Sequence, residues 1–547
     1  MRKKQRKYIF VVGGVMSSVG KGVTSASIGA ILQARGYTVT NVKCDMYVNI
    51  DAGTIRPTEH GEVFIGEDGI EADQDLGNYE RFTGNPMSSV NYITTGQVYQ
   101  EVIRRERNLE YHGEDVEVVP DVPNEIIRRL QVATKASDAD ITVVEFGGTV
   151  GEYQVLLFLE AARIMKVYHP DDVAIVLVSY LPLPPHVGEM KTKPTQYAIR
   201  TLNAAGIQAD FIVARGEQAL DDKRRNTLAT VCNLRPGTVI AAPDVRSIYD
   251  VPVQYVDQQF DLKLLKTLKL SPKKTDMAEW KNFSKKIVSL KKKVKIGIVG
   301  KYFATGDYTL SDSYISVIEA TKHAAWDNNA APELVWIDAE RYEKEPQAVQ
   351  ELSSFDGIIV PGGFGTRGVE GIIAAIQFAR VNKIPYLGLC YGMQLATVEF
   401  ARHVLGKKDA NTVEINPKTT NPIIHINVVQ QKHVTENQYG GTMRLGAYDC
   451  VLRHGTKARA AYGTEVISER HRHRYEFNNE YREAIDAAGL QVVGLNPESD
   501  LVEIVELIDH PFFIGTQFHP EFKSRPMHAH PLFREFVKAA LRTSEAD

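Results

Sequence analysis

The sequence predicts an α/β protein of two domains in tandem, built on mostly parallel sheets, and three features predict it. Short apolar runs alternate with longer helical stretches, the rhythm that βαβ units impose. A glycine-rich bend from Gly13 to Gly22 joins the first apolar run to a stretch of small residues. Between Lys263 and Lys295 stand twelve lysines against two acids, Asp276 and Glu279, and the alternation starts afresh at Val294. A chain of 547 residues also exceeds what one core serves.

Taken in order, Tyr8–Val12 reads as a buried strand, and Val11-Val12-Gly13-Gly14-Val15-Met16-Ser17-Ser18-Val19-Gly20-Lys21-Gly22 as a phosphate loop opening a helix. Glycines let the backbone wrap an anion, while the helix N-terminus and Lys21 add positive potential. The spacing departs from GxxxxGK[ST]: five residues separate Gly14 from Gly20, and Gly22 stands where Ser or Thr would reach magnesium. Ser25–Ala34 reads as helix, Thr38–Lys43 as strand, and the polar stretch from Tyr47 to about Leu109 as functional loops more than core. Ile141–Val144 is a strand that delivers Glu145 and Gly147-Gly148 at its C-terminal end, where ligands of open α/β sheets gather. Val155–Met165, Val173–Ser179, Thr192–Ala205 and Phe211–Ala214 continue the rhythm. The expected domains are 1–270, a lysine-rich linker 271–293, a second domain 294–541 and a tail 542–547.

The second series runs through Val294–Val299, Ser313–Asn328, Glu333–Ile337, Gly357–Val360 and Pro385–Leu389. The last apolar positions, Leu532, Phe533, Phe536, Val537, Ala540 and Leu541, have helical spacing and predict a helix docked on this domain.

Bulk composition narrows the partners. The net charge of -4 supplies no global pull toward nucleic acid or acidic membrane. Four cysteines (Cys44, Cys232, Cys390, Cys450) lie far apart without a CxxC pair, which fits a reducing cytoplasm better than a disulfide framework or zinc cage. The basic start, Met1 to Lys7, precedes too few apolar residues for a signal peptide. No run approaches a membrane span.

The second chemical centre is Gly388-Leu389-Cys390-Tyr391-Gly392, a strand, a tight turn and a helix start. Small residues on both sides permit a strained elbow that exposes the thiol, and a helix N-terminus favours the thiolate. Downstream, Gln517-Phe518-His519-Pro520-Glu521 supplies a base and a carboxylate to orient it. Gly362-Gly363-Phe364-Gly365 offers backbone N–H groups for an oxyanion hole. Each alone would suit an ordinary core cysteine or loop; together they favour acyl transfer. From about Lys295 to Leu541 these residues closely resemble the class I glutamine amidotransferase domain, in which a thiolate takes the acyl group of glutamine and releases ammonia.

Further motifs extend the resemblance across the whole chain: Gly13–Gly22, Lys43-Cys44-Asp45, His60-Gly61-Glu62-Val63-Phe64, Glu67-Asp68-Gly69, Asp73 to Arg81, Glu145 to Gly151, Lys191 to Gln196, Gly441 to Gly446 and Glu469 to Glu476. This set resembles the CTP synthase family. The resemblance implies a Rossmann-like, P-loop-type amidoligase domain with a mostly parallel sheet, followed by an α/β class I glutaminase. It implies ATP-dependent amination of UTP at C4, with Mg2+ as cofactor, GTP as allosteric activator and CTP as inhibitory product. It also implies a cytoplasmic homotetramer, a dimer of dimers, with filament formation left open and neither nucleic acid nor membrane as partner.

By that resemblance Ser17, Ser18, Val19, Gly20, Lys21, Gly22, Lys43 and Asp75 bind ATP, and Asp75 and Glu145 hold magnesium. Ser17, Glu152, Tyr153, Gln154, Lys191, Thr192, Lys193, Pro194, Thr195 and Gln196 bind UTP or CTP. Cys390, His519 and Glu521 are catalytic, while Gly363, Tyr391, Gln394, Glu414 and Arg474 bind glutamine. Phe364 and Arg367 match the loop associated with GTP, and His60 a residue linked to ammonia passage or coupling. Several positions depart from the family pattern. Glu152-Tyr153-Gln154 replaces Asp-Ile-Glu, Thr227 stands at a common lysine, and Met46 and Ala52 replace prolines. Two rivals explain less: an amidotransferase for another acceptor has no need of Lys191–Gln196, and a non-catalytic ATPase switch has no need of Cys390, His519 and Glu521.

Overall fold

The computed structural model describes residues 5–186, 188–301, 304–305, 308–309, 311–426 and 440–546, so the first four residues of the basic lead-in lie outside it. The chain divides into two compact units, one of residues 1–52 and 75–285, the other of residues 53–74 and 286–547.

The first unit is a seven-stranded, wholly parallel sheet in the order Tyr92–Thr94, Val39–Asp45, Ile141–Phe146, Lys7–Gly13, Val173–Tyr180, Phe211–Gly216, Val239–Pro243. Lys7–Gly13 lies at the centre and is buried throughout. That explains its unbroken apolar run, since helices cover both faces of a parallel sheet. The connection from this strand runs toward one edge and that from its neighbour Val173–Tyr180 toward the other, which opens a crevice at their C-terminal ends. The helix after the glycine bend begins at Lys21 and runs to Ala34, earlier than its apolar pattern suggested.

The stretch from Tyr47 to Leu109 is more ordered than its polarity indicated. It contains the hairpin Val63–Ile65/Glu71–Asp73, the strand Tyr92–Thr94 and the helices Asp75–Thr83 and Thr95–Arg107. Three-residue strands offer too few positions for an alternation to register. Asp75–Thr83 buries Leu76, Tyr79 and Phe82 while its other residues are polar, which masks it as a loop. The lysine-rich stretch carries the helix Ala278–Ser289, whose Trp280 packs against Phe82 and Tyr249, and whose Phe283 packs against Tyr249, while Lys281 and Lys285 stay exposed.

The second unit has a nine-stranded sheet. Ala331–Asp338, Lys293–Gly300, Gly357–Val360, Tyr386–Leu389 and Phe513–Thr516 pair in parallel. Val502–Leu507, Leu490–Leu495, Arg444–Leu452 and Val466–His473 extend it antiparallel. The C-terminal helix Pro531–Ala546 buries Leu532, Phe533, Phe536 and Val537 in one cluster with Val294 and Ile296, and extends beyond residue 541 to Ala546. Among the described residues no helix is long and apolar enough to cross a membrane.

Candidate active sites

In the first unit the glycine bend closes over the C-terminal end of the central strand. Ser18 (φ 54°) and Gly20 (φ 83°) take left-handed backbone, the pattern that turns successive N–H groups inward, and Gly20 caps the helix that Lys21 opens. Ser17 and Ser18 are exposed, and Val19 is buried. Lys21 donates from Nζ to the Gly148 carbonyl (2.8 Å), and burial pulls its ammonium below the ordinary lysine value.

Lys43 and Asp75 form the centre of this site. Lys43 leaves the strand Val39–Asp45 at its C-terminal end and donates to Asp75 Oδ2 and to Glu145 Oε1 (3.3 Å). Glu145, at the end of the neighbouring strand, accepts Tyr79 Oη–H at 2.5 Å. Burial, and next the negative charge of Asp75, push Glu145 up to about 7. Two carboxylates gathered around one lysine beside a phosphate loop suit a hard divalent cation, so the residues present fit magnesium.

Asp75 also explains the irregular motif. A Cβ on Gly22 would lie 1.7 Å from Asp75 Oδ1 and 2.5 Å from its Cγ. The side chain that a regular phosphate loop carries after its lysine is excluded here by the carboxylate that fills its place.

The expected pyrimidine-nucleotide residues fall in two segments. Thr192 precedes the helix Lys193–Ala204, with Pro194 in its first turn, and accepts Gln196 Nε2–H at 3.0 Å. Thr195 Oγ1 lies 2.9 Å from Ser179 Oγ, itself 2.8 Å from where a Cβ on Gly14 would stand, so this helix start adjoins the phosphate loop. Lys191 bonds Glu189 (3.1 Å) and Lys193 bonds Gln196 (3.4 Å), both near the surface. Glu152 accepts Thr149 N–H (2.8 Å), whereas Tyr153 is 89% exposed and Gln154 is also exposed. Thr227 turns its hydroxyl back onto the Lys223 carbonyl (2.8 Å) of its own helix.

In the second unit Cys390 sits between the strand Tyr386–Leu389 and the helix Tyr391–His403 with φ 50° and ψ -97°, the strained elbow its sequence implies. Its flanking glycines are obligatory: a Cβ on Gly392 would stand 2.3 Å from the Val360 carbonyl oxygen, and one on Gly388 2.8 Å from the Gly392 carbonyl carbon. His519 Nδ1 lies 2.7 Å from Glu521 Oε1, and its Nε2 is buried. Burial opposes its charge, but the Glu521 carboxylate and then the Cys390 thiolate outweigh it and raise His519 to about 10. A Cβ on Gly362 would lie 2.8 Å from His519 Cε1, so the glycine loop approaches the base this closely only without a side chain.

A cavity of about 590 Å³ opens on the thiol, lined by Gly363, Gln394, Glu414 and Arg474 among others. Glu414 accepts Gly365 N–H (2.7 Å), while Lys301 (2.8 Å) and Tyr391 (2.7 Å) donate to the Gly365 carbonyl. Tyr391 therefore holds the glycine loop at its Gly365 carbonyl. Burial is the main cause that lowers Lys301 to about 8. In the basic run Arg470 is committed to Glu67 (2.8 Å) and Arg472 to Glu71 (2.8 Å), whereas Arg474 lines the cavity and donates to Thr442 (3.1 Å). Phe364 is half exposed, Arg367 pairs with Glu340 (2.6 Å), and His60 pairs with Asp73 (3.0 Å).

Sequence reasoning missed Tyr79, Arg215 and Gln517. Arg215 follows the apolar run Phe211–Ala214 and lies beside Gly20, its Nε 3.4 Å from where a Cβ would stand. A cation directly after a buried strand was its available signal. Tyr79 had none, because only folding brings it to Glu145. Gln517 lies within the His519 motif, where it reads as an ordinary strand-end polar residue.

Comparison with known proteins gives two family matches: the CTP synthase N-terminus over residues 7–270 and the class-I glutamine amidotransferase over residues 309–539. The chain is 49% identical over 540 residues to the CTP synthase of Carboxydothermus hydrogenoformans, covering 98% of this chain and 99% of that one. It is 48% identical over 537 residues to that of Listeria monocytogenes, again covering 98% and 99%. Among solved structures, the glutaminase domain of Trypanosoma brucei CTPS with bound acivicin matches at 37% identity and TM-score 0.42, covering 46% of this chain and 94% of that one.

Proposed function

The chain belongs to the CTP synthase family, and from that premise we propose how its residues carry the amination of UTP to CTP. The enzyme is a ligase that uses ATP to activate UTP and takes its ammonia from glutamine. Uracil O4 leaves poorly, so the γ-phosphoryl group of ATP is first transferred to it. Ammonia then attacks C4, and O4 departs with the phosphate.

The observation that carries the synthetase half is Asp75 seated over Gly22 and joined through Lys43 to Glu145. On this reading Ser17 to Gly22 cradle the ATP phosphates, and Lys21 and Lys43 neutralise charge on the transferring group, work that is mainly electrostatic positioning. Asp75 and Glu145 hold Mg2+, which when bound screens and aligns the phosphate oxygens. Tyr79 orients Glu145. Lys191, Lys193 and Gln196 meet the UTP phosphates and ribose across a subunit boundary in a homotetramer. The exposure of Tyr153 and Lys193 supports that placement.

In the glutaminase half the Cys390 thiolate attacks the side-chain amide carbon of glutamine, the His519 imidazolium protonates the departing nitrogen, and ammonia leaves a thioester that water then opens. Glu521 orients His519, Gly363 faces the oxyanion, and Glu414 and Arg474 take the α-ammonium and α-carboxylate. GTP activates through the loop of Phe364 and Arg367, and CTP inhibits by overlapping the UTP site. With Gln154 and Thr227 presenting neutral groups, that inhibition is weak. Free thiols at all four cysteines suit a cytoplasmic location.

The test is CTP formation from ATP, UTP and magnesium, fed in turn by glutamine and ammonium. Both nitrogen sources are expected to work, and Cys390→Ala is expected to abolish glutamine use while ammonium still supports synthesis. Absence of CTP from either source overturns the site assignments in the first unit; glutamine use surviving in the variant overturns the nucleophile.

A further inference from the structure

We propose that Gln517 is a further catalytic residue of the glutaminase, a fixed hydrogen-bond donor to the nucleophilic sulfur. Among the described residues, a backbone carbonyl and a side-chain amide bond Cys390 Sγ in addition to its His519 partner. The Arg472 carbonyl, 3.9 Å away, accepts from the thiol, whereas Gln517 Nε2, 3.6 Å away, donates to it. A carbonyl favours the S–H form. An amide N–H favours the thiolate, so Gln517 counterbalances Arg472.

The direction of the Gln517 amide is decided by its neighbours. Gln394, in the first turn of the helix that Cys390 opens, has two N–H groups. One donates to the Tyr475 carbonyl (2.8 Å), which can only accept, and the other to Gln517 Oε1 (3.3 Å). With Oε1 occupied, the NH2 end of Gln517 must face the sulfur; a flip would set two NH2 groups against each other and an oxygen against the thiolate. Gln517 is 1% exposed and Gln394 3% exposed, so water does not replace either bond. The backbone N–H of Gln517 is tied to the Glu503 carbonyl (2.8 Å), which anchors the side chain at the end of its strand.

The bond has work in both halves of the reaction. During acylation the sulfur spends its lone pair on the S–C bond as the C–N bond breaks and the His519 proton leaves with ammonia. During deacylation water adds to the thioester, His519 takes its proton, and the C–S bond returns its electrons to sulfur. The donor stabilises the thiolate as attacking group at rest and as leaving group at the end. Gln394, bound to the same amide, thus links the glutamine pocket to the state of the nucleophile.

The inference rests on Cys390 being the nucleophile, and the experiment separates the two. Iodoacetamide alkylation of the whole chain is followed from pH 6 to pH 10 with the labelled peptide mapped, in wild type, Gln517→Met and Gln517→Glu. Loss of one hydrogen bond to a charged acceptor predicts a Gln517→Met rate at Cys390 about 10–100-fold lower at pH 7, converging with wild type toward pH 10. Gln517→Glu, with a carboxylate at the sulfur, is expected to be slower still at pH 7. Glutamine hydrolysis should fall in kcat more than it rises in KM. Wild-type alkylation in Gln517→Met overturns the proposal, and so does a rate lowered equally at every pH, which would mark a structural role. Labelling that maps elsewhere than Cys390 in the wild type overturns the nucleophile instead. Circular dichroism checks folding; should Gln517→Met fail it, Gln517→Asn, which withdraws the donor by one methylene, gives the same measurement.

Discussion

Gly22→Ser restores the regular phosphate-loop pattern on paper, and the structure predicts that it disables the enzyme. Gly22 lies within the helix Lys21–Ala34, where replacing glycine by a better helix former ordinarily stabilises by about 0.5–1 kcal/mol. The space is already taken, because the new Cβ would stand 1.7 Å from Asp75 Oδ1 and 2.5 Å from Cγ. The carboxylate must swing away and give up Lys43. A hydrogen bond to a charged group contributes about 1.5–3 kcal/mol, which corresponds to about 10–150-fold in rate before any loss at the magnesium site is added. The assay is kcat/KM for ATP with saturating UTP, fed by ammonium so that the thiol is bypassed. Gly22→Ala should lose as much, since the clash lies at Cβ and not at the hydroxyl. A Gly22→Ser enzyme as efficient as wild type would refute the role given to Asp75.

Glu521→Gln is expected to lower glutamine hydrolysis on the order of 10²–10⁴-fold, the usual range for a disabled acid–base pair, with ammonium-driven CTP formation retained. It also removes an anion that holds His519 up at about 10 against burial. A base raised in the folded state stabilises fully below its unfolded value, about 6.5, and loses that contribution as pH climbs through the folded value. The difference in unfolding free energy between wild type and Glu521→Gln should therefore be largest near pH 6 and fade toward pH 10, measured by urea unfolding at each pH. Thr227→Lys adds a cation where the Thr227 hydroxyl now donates to the Lys223 carbonyl of its own helix. If this position meets nucleotide phosphate, a CTP titration should show inhibition tightened by about 10–100-fold, the range for a new charge-assisted bond, while unchanged inhibition removes Thr227 from the site.

The fold class, the family and the short motifs around which both proposed sites are built were legible in the sequence alone. These signals are local: a glycine bend after an apolar run, a cysteine between two glycines at a strand end, and a histidine two residues before a glutamate each carry their chemistry within a short window. The parallel order of the first sheet also follows from alternation, because parallel strands need crossovers and crossovers leave a rhythm. The antiparallel half of the second sheet left no such rhythm. The hairpin Val63–Ile65/Glu71–Asp73 was hidden because its strands are three residues long.

Only the tertiary structure decided what lies against what. That Gly22 is excluded from carrying a side chain by Asp75 depends on two residues 53 positions apart packing so closely that a Cβ on one would overlap the carboxylate of the other. Tyr79 orients Glu145 from a different element, and Gln394 fixes the direction of the Gln517 amide from a helix more than a hundred residues earlier. Periodicity reports which side of an element is buried, and motifs report which groups can do chemistry. Hydrogen-bond direction, steric exclusion and the shifted charges of Glu145 and His519 arise from atoms brought together across the chain, and no local window contains them.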